Sequence, residues 1–550
     1  MLSTMQDVPL TITSMLRAGT TTYGNGLVVT AIDANGGVRE ATYREVGARA
    51  ARLANTLRRL GTHDDERVAT FMWNNQEHLE AYLAIPCMGA VLHTLNIRLT
   101  PEQLGFIASQ AEDQIIIADA SLLPLLAPTL KLMPTVKIVL VVGEGDVAAL
   151  TASGKTVLSY DELLAAESTV FDWSEPDERS AAIMCYTSGT TGNPKGVVYS
   201  HRSTYLHSLT FCTGNSTGLS VQDRALAVVP MFHANAWGLP YAALFTGADI
   251  LMCNRFLQPG PIVSLIESQR PTLAMAVPTI WNDMLHWLRV HPGHDVSSIR
   301  RVVCGGSAVS RSLIKAYRDE LGIEIRQAWG MTKTSPVATS GMPPRGLSPD
   351  EELDQRATQG RFIFGVEGRI VNDEGTLLPH DGKTVGEVEV RGPWITGSYY
   401  TGADPERFHD GWLRSGDVGI IDELGYLVLT DRAKDVIKSG GEWISSVELE
   451  NRLMSHPDVV EACVVGVPDE KWQERPLALV VRKEDSSISA EELREWLSPQ
   501  VAKWWLPERW VFVPALPRTS VGKFDKKVVR RHYADGELLV EVIQQQSALS

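Results

Sequence analysis

The stretch Tyr186-Thr-Ser-Gly-Thr-Thr-Gly-Asn-Pro-Lys-Gly196 gathers hydroxyls, glycines and a lysine behind an apolar run, Ala181 to Cys185, that reads as a buried strand. Glycines at 189, 192 and 196 permit tight backbone and close approach of a ligand. The hydroxyls of Thr187, Ser188, Thr190 and Thr191, with free backbone N–H groups, can donate to phosphate oxygens, and Lys195 adds a cation. A flexible surface loop is the plain alternative. A linker, however, has no need for hydroxyls packed this densely beside a lysine. The stretch is not a Walker loop, because Lys195 is followed by Gly and the G-x-x-x-x-G-K spacing is absent.

Other candidate residues are ambiguous on type alone. Asp417 after Gly416 can be a turn residue. Trp329 and Trp237, in apolar runs, can be core, and His233 can be a satisfied core histidine. Lys523 sits with Lys526 and Lys527 in a basic tail, and such tails are usually solvated.

These residues need a scaffold, and the periodicities describe one. Val46, Ala50, Leu53, Leu57 and Leu60 recur at helical spacing. Arg67 to Trp73 reads as a strand, His78 to Pro86 as a helix, and Gln114 to Asp119 as a buried strand. Thr100-Pro-Glu-Gln103 has the form of a helix start. Such alternation predicts layered α/β subdomains with mainly parallel strands. Met342 to Asp354, rich in Pro, Gly and acids, predicts a surface excursion. Phe362 to Ile370, Gly386 to Arg391 and Tyr426 to Thr430 predict a β-rich subdomain over about 355–430. Beyond Asp431 the pattern is a helix from Ser446, strands over Val459–Val467 and Leu477–Arg482, a helix over Ala490–Leu497 and the basic tail Lys523–Arg531. The expected division is an N-terminal domain 1–430, a charged, exposed connection 431–436 containing Asp431 and Lys434, and a small α+β C-terminal domain 437–550.

At 550 residues the chain is too long for one compact core. No apolar run is long enough to span a bilayer. Met1 to Leu16 carries Asp7 and no cationic leader, so it does not read as a signal peptide. The six scattered cysteines contain no Cys-x-x-Cys pair and suggest reduced thiols of a cytoplasmic protein. The formal charge of −15 argues against general nucleic-acid binding but leaves a local phosphate site open.

The phosphate-loop stretch resembles the signature loop of the adenylate-forming superfamily, which includes acyl-CoA synthetases, peptide-synthetase adenylation domains and firefly luciferase. Further matches run in the same order along the chain: Gly305-Gly-Ser-Ala308, Gln327-Ala-Trp-Gly-Met-Thr332, Arg414-Ser-Gly-Asp417, Asp431-Arg-Ala-Lys-Asp435, Lys438-Ser-Gly-Gly-Glu-Trp443 and Arg518-Thr-Ser-Val-Gly-Lys523. Lys438–Trp443 and Met231-Phe-His-Ala-Asn-Ala-Trp237 are most similar to medium- and long-chain fatty acyl-CoA synthetases, and 3-methylmercaptopropionate-CoA ligases also look close.

The resemblance implies a ligase that joins a fatty or other small carboxylic acid to AMP from ATP and then passes the acyl group to CoA, with Mg2+ at the phosphates. It implies nucleotide contacts from Thr187, Ser188, Gly189, Thr190, Thr191, Gly192, Lys195, Gly305, Gly306, Ser307, Gln327, Ala328, Trp329, Gly330, Met331, Thr332, Asp417 and Arg432. Within that set Trp329 would stack on adenine and Asp417 would take the ribose hydroxyls. Lys523 would act in adenylation with Lys195 and Thr187. Trp237 would gate an acyl pocket lined by His233. Asp431 and Lys434 would form the hinge, and Lys438, Ser439, Gly440, Gly441 and Trp443 would face CoA. A homodimer and a cytoplasmic location, with peripheral membrane attachment as a variant, also follow from the resemblance.

One departure matters. The family expects Thr-Glu where this chain has Thr332-Lys333, and that Glu binds Mg2+ with a Thr of the loop, here Thr187. Lysine has three donors and no acceptor, so while protonated it cannot ligate a hard cation. Three readings stand: a ligase with weakened adenylation, a ligase in which Lys333 meets phosphate as a point cation, or a nucleotide or acyl-adenylate binder without catalysis. A domain that loads a carrier protein is a further alternative, though no carrier domain follows within these residues.

Overall fold

The computed structural model describes residues 1, 3–173, 175–187, 193–432, 435–439, 442–519 and 523–543; the side chains of Arg432, Lys438, Glu442 and Trp443 lie outside that description. Among the described residues, the strands form three sheets.

The first sheet runs in the order Thr156–Ser159, Ile138–Val142, Ile115–Asp119, Arg67–Phe71, Val91–Thr94, Ala181–Tyr186, Gly196–Ser200. Its strands are parallel except the last, which returns antiparallel to Ala181–Tyr186. The crossovers are the helices the sequence announces. Thr42 and Glu45 close a capping box on Tyr43–Arg59, whose buried stripe includes Val46, Ala50, Leu53 and Leu57. The helix read over His78–Pro86 begins earlier, at Gln76, because Asn75 accepts the His78 N–H at 2.9 Å. Thr100 and Gln103 cap Pro101–Gln110 as expected.

In the second sheet six neighbouring strands are parallel: Glu324–Gly330, Arg301–Gly305, Leu273–Ala276, Arg224–Ala227, Asp249–Met252 and Leu27–Ala31. The β-rich stretch continues this sheet through Val337–Ser340 and Gly360–Phe362 to Tyr426–Arg432, Trp412–Ile421, Gly386–Arg391 and Glu367–Val371. The strand read over Phe362–Ile370 is two strands, broken at Gly365, whose φ of 95° bends the chain. The excursion after Met342 contains a helix, Pro349–Arg356, which the sequence reading missed although Ser348 and Glu351 form its capping box.

The third sheet holds Glu442–Ile444, Ile437–Ser439, Gln473–Arg482, Arg509–Phe512 and Glu541–Val542, with Val459–Asp469 on the other side of Gln473–Arg482. Helices Ser446–Met454 and Ala490–Leu497 bury Leu449, Leu453, Leu493 and Leu497 in a cluster with Trp510. Helix Lys526–Ala534 sends Val529 into a second cluster with Val465 and Leu477. No helix of the described residues is long and apolar enough to cross a membrane.

Three buried histidines are held neutral. Burial pushes His78 and His201 down to about 4 and His207 to about 3. His201 Nδ1 accepts the Ile12 N–H and His207 Nε2 accepts the Val337 N–H, each at 3.3 Å, bonds that a protonated nitrogen cannot make. Unfolded histidine titrates near 6.5, so between that value and the folded ones the unfolded chain binds more protons. Their contribution to stability is therefore complete above pH 6.5 and is lost as the pH falls toward 4. Replacing His207 by Gln, which still offers an acceptor, should shrink the loss of stability between pH 7 and pH 5 by about 2 kcal/mol in urea unfolding. An unchanged loss would count against a neutral His207 in the fold.

Candidate active site

The two glycine- and tryptophan-bearing motifs meet because their strands are neighbours. Arg301–Gly305 and Glu324–Gly330 run parallel with Gly305 opposite Ala328, so both motifs sit at the carboxyl ends of adjacent strands. In open α/β sheets that edge is where ligands bind. A cavity of about 240 Å³ lies there, lined by Gly306, Ser307, Ala308, Ala328, Trp329, Gly330 and Met331. Asp417 and Lys523 line it as well, although they lie far along the chain from these residues.

Backbone fit is strict at this edge. A Cβ on Gly305 would stand 2.7 Å from the Ala328 carbonyl oxygen, and one on Gly330 would stand 1.8 Å from that of Pro336. Gly306 has φ 90°, and the Lys523 Cε lies 3.9 Å from where its Cβ would be. Trp329 is 7% exposed, and its indole N–H donates to the Asp417 carboxylate at 2.8 Å. Asp417 reaches the site on Trp412–Ile421, in register with Arg432 of the neighbouring strand.

Lys523 is anchored by its backbone. Its N–H donates to the Thr519 hydroxyl at 3.2 Å and its carbonyl accepts the Thr519 N–H at 2.7 Å. His233 lies near enough for the Lys523 and Arg98 charges to reinforce what burial does first, which is to lower its pKa to about 4. It is therefore a neutral ring at pH 7.

The phosphate-loop stretch joins two antiparallel strands, Ala181–Tyr186 and Gly196–Ser200. Its ends are tied: the Thr187 N–H donates to the Lys195 carbonyl at 3.0 Å, and the Lys195 N–H to the Thr187 hydroxyl at 3.1 Å. Ser188, Gly189, Thr190, Thr191 and Gly192 lie outside the described residues, as do Lys434, Gly440, Gly441 and the side chains of Arg432, Lys438 and Trp443. The Lys195 ammonium pairs with Asp404 and stands 5.5 Å from the Tyr399 ring centroid.

Several of the expected residues carry contacts of their own. Gln327 is 1% exposed, and its Oε1 accepts the Val309 N–H at 2.9 Å, which braces the glycine loop. Thr332 is buried too, and its carbonyl accepts the Tyr199 hydroxyl at 2.6 Å. Lys333 follows in the turn Thr332–Thr334, its carbonyl holding the Thr396 N–H at 2.9 Å. Trp237 is 9% exposed, with its Cη2 3.5 Å from the position of a Cβ on Gly305. Ser439 is buried and its hydroxyl accepts from Arg475 at 3.2 Å.

The basic tail departs most from expectation. Lys526 is largely enclosed rather than solvated: its ammonium is 2.8 Å from Glu450 and also bonds the Ser446 hydroxyl. Burial opposes its charge, but Glu450, Asp431 and Asp435 hold its pKa above the usual value. Asp431 in turn accepts the Ser446 N–H at 2.8 Å and hydroxyl at 2.6 Å, and Arg530 pairs with Asp435 at 2.8 Å. This cluster forms the far wall of the same cavity. Nothing in the run of basic residues 523–531 distinguishes Lys526; Asp404, Tyr199 and Glu450 carried no local signal either.

Comparison with known proteins agrees with this arrangement. Residues 22–400 match the family model described as AMP-binding enzyme, and residues 448–523 that of the AMP-binding enzyme C-terminal domain. The chain belongs to the AMP-binding enzyme family. It is 43% identical to 3-methylmercaptopropionyl-CoA ligase of Ruegeria pomeroyi, over 97% of this chain and 99% of that one. It is 44% identical to the long-chain-fatty-acid–CoA ligase of Thermus thermophilus, over 96% and 97%. Among solved structures it resembles the anthranilate CoA ligase AuaEII in complex with anthranoyl-AMP, with a TM-score of 0.86 and 25% identity over 97% of this chain and 100% of the other.

The buried pair yields a stability test. Lys526→Met leaves Glu450 buried without its cation and should cost about 3–5 kcal/mol in chemical denaturation. The double variant Lys526→Met/Glu450→Gln should recover most of that loss. Equal losses in the two would mean that the pair is not the source.

Proposed function

We propose that the protein is an AMP-forming acyl-CoA ligase acting on a fatty acid. A carboxylate is a poor electrophile because its leaving group would be oxide. In the first step a carboxylate oxygen attacks the α-phosphorus of ATP, the bond to pyrophosphate breaks and a mixed anhydride forms. In the second the CoA thiol attacks the acyl carbon and AMP leaves. The first step asks the protein to align reactants and to offset charge gathering on phosphorus.

The observation that carries this reading is the convergence of Lys523, Gly306, Trp329 and Asp417 on one cavity. Asp417, oriented by the Trp329 N–H, accepts the ribose hydroxyls. The Gly305-Gly306 backbone lets adenine and the acyl carboxylate pass close. Lys523 stands between carboxylate and α-phosphate, attracts the nucleophile and stabilises the developing charge. His233, being neutral, lines the acyl end and is not a base. In this reading 1–430 carries the nucleotide, 431–436 is the hinge, and rotation of 437–550 exchanges the Lys523 face for the Lys438–Trp443 face toward CoA.

The acyl specificity of the two relatives differs while their identities to this chain are nearly equal, so a short thioether acid is the second substrate reading.

The residues present do not fit the family's magnesium. At 333 a protonated lysine offers no lone pair where the family has a carboxylate, and among the described residues of the loop the Thr187 hydroxyl already accepts the Lys195 N–H. Lys333 instead supplies positive charge toward the phosphates. The same substitution favours, as an alternative, a chain that binds nucleotide and has lost adenylation.

One assay series tests these statements. Pyrophosphate and AMP release are followed with a panel of fatty acids and 3-methylmercaptopropionate. Lys523→Ala should lower adenylation at least about 100-fold while leaving ATP affinity within a few-fold. Lys333→Glu should raise adenylation in the presence of Mg2+; no gain would sink the metal argument. ATP binding without AMP from any acid would favour the non-catalytic alternative.

A further inference from the structure

The first sheet reverses its strand order at a point the adenylation chemistry does not use. From Arg67–Phe71 the chain crosses to Val91–Thr94 on one side, returns to Ile115–Asp119 on the other and goes on to Ile138–Val142. The two crossovers cover opposite faces. Leu79 and Leu83 of helix Gln76–Cys87 pack in one cluster with Val68 and Ile117. Leu104 and Ile107 of helix Pro101–Gln110 pack in another with Ala69 and Ile116. Connections that leave to opposite faces open a crevice beyond the carboxyl ends of the two strands between them, here Arg67–Phe71 and Ile115–Asp119.

A cavity of about 290 Å³ occupies that place. Asn75, Asp119, Ser121 and Glu144 line it from the carboxyl ends of the first sheet. The second sheet supplies the facing wall, with Ile32, Arg39, Asn254, Arg255 and Phe256. The lining shares no residue with the cavity that holds Lys523. The walls are tied to each other: the Asn254 N–H donates to the Asn74 carbonyl at 3.0 Å, and the Asn254 side-chain amide donates to the Ala31 carbonyl at 3.1 Å.

Charge decides what such a space can hold. Arg39 is matched by Glu77 through two bonds of 2.7 and 2.8 Å, and Asp161 is matched by Arg49 at 2.9 Å. One cation and two acids remain. Arg255 lies over the Phe256 ring, 5.4 Å from its centroid, and is in no ion pair among the described residues. Asp119 Oδ1 accepts the Ser121 N–H at 2.9 Å and hydroxyl at 2.6 Å, and its Oδ2 accepts the Asn75 amide at 3.1 Å. Of its roughly four acceptor positions one is left among the described residues. Glu144 is exposed on the loop Gly143–Gly145. A phosphorylated ligand would meet more acid than base here. Among the described residues no three acids are placed to share a metal ion.

We infer that this crevice is a second small-molecule site, for an apolar α-amino acid in its zwitterionic form. The carboxylate takes the Arg255 fork. The ammonium, with three donors and no acceptor, takes Asp119 and Glu144. The side chain lies on Phe256 and on Ile32, an apolar residue that is 56% exposed.

Saturation-transfer NMR titration of the full chain with L-leucine, L-methionine and L-phenylalanine tests the site. α,β-Methylene-ATP and the best acid of the assay panel are kept present to fill the nucleotide and acyl sites. At least one of the three should bind with a Kd of about 1 mM or tighter. N-acetyl-leucine lacks the ammonium and leucinamide lacks the carboxylate, so each should bind at least about tenfold more weakly than leucine. Arg255→Gln should weaken amino-acid binding by about the same factor and leave AMP release unchanged. Arg255 is exposed, so this variant removes a charge without opening the core. No saturable binding by any of the three up to about 10 mM overturns the inference. Equal binding of leucine and its two analogues overturns it too, as does an Arg255→Gln variant with an unchanged Kd. None of these results touches the ligase reading, which falls only if AMP is released with no acid of the panel.

Discussion

The site depends on an absence of side chain at Gly305. The Ala328 carbonyl oxygen stands 2.7 Å from where a Cβ would be, and the Trp237 ring 3.5 Å from it. That close approach lets two neighbouring strand ends form one edge, with the glycine loop on one and Trp329 on the next. Gly306, at φ 90°, then turns the chain so that backbone rather than side chain faces the Lys523 stem. A substituted residue at 305 would push the strands apart and separate three motifs at once. The large parallel sheet beneath is in this sense a device for holding two loop origins a strand spacing apart.

The second requirement is that residues near the end of the chain reach this edge. Asp431 closes the N-terminal run of strands, and its carboxylate bonds the first residue of helix Ser446–Met454. Glu450 on that helix pairs with Lys526, close in sequence to Lys523. Each bond joins parts that the covalent chain leaves only loosely related. A buried ion pair of this kind adds little net stability against an apolar alternative, but losing one partner is costly. Its value here is orientation, since it joins helix Lys526–Ala534 to helix Ser446–Met454.

Much of this was legible in the sequence, for a physical reason. Gly305, Gly306 and Gly330 are constrained by what the backbone requires of them locally, so type and spacing betray them. The crossover helices were legible because caps such as Thr42 and Thr100 and the Val46–Leu57 stripe act within one or two turns. What stayed hidden depends on partners distant in sequence. Lys526 looks like any basic tail residue until Glu450 is packed against it, and nothing local announces the bond from the Val309 N–H to Gln327. The left-handed run at Ala234–Trp237 was hidden more deeply, because alanine and tryptophan give no hint of positive φ. The break at Gly365 was missed because a lone glycine in a strand pattern has several uses.

Charge shows how these levels combine. A chain with a net charge of −15 can still build a site for a polyanion, because what matters is which cations are left facing the cavity. Proximity to a phosphate-like motif does not decide that. Lys195 lies within the loop stretch, yet its ammonium is directed to Asp404 and the Tyr399 face. Lys526 lines the cavity, yet its charge is matched by Glu450 and by the nearby Asp431 and Asp435. Lys523 differs in geometry: its stem runs past Gly306 into the space bounded by Trp329, Asp417 and His233. The carboxylates around the site thus account for two of these lysines, Lys195 by Asp404 and Lys526 by Glu450. A motif read in isolation assigns roles by position, whereas the fold assigns them by which acid each lysine meets.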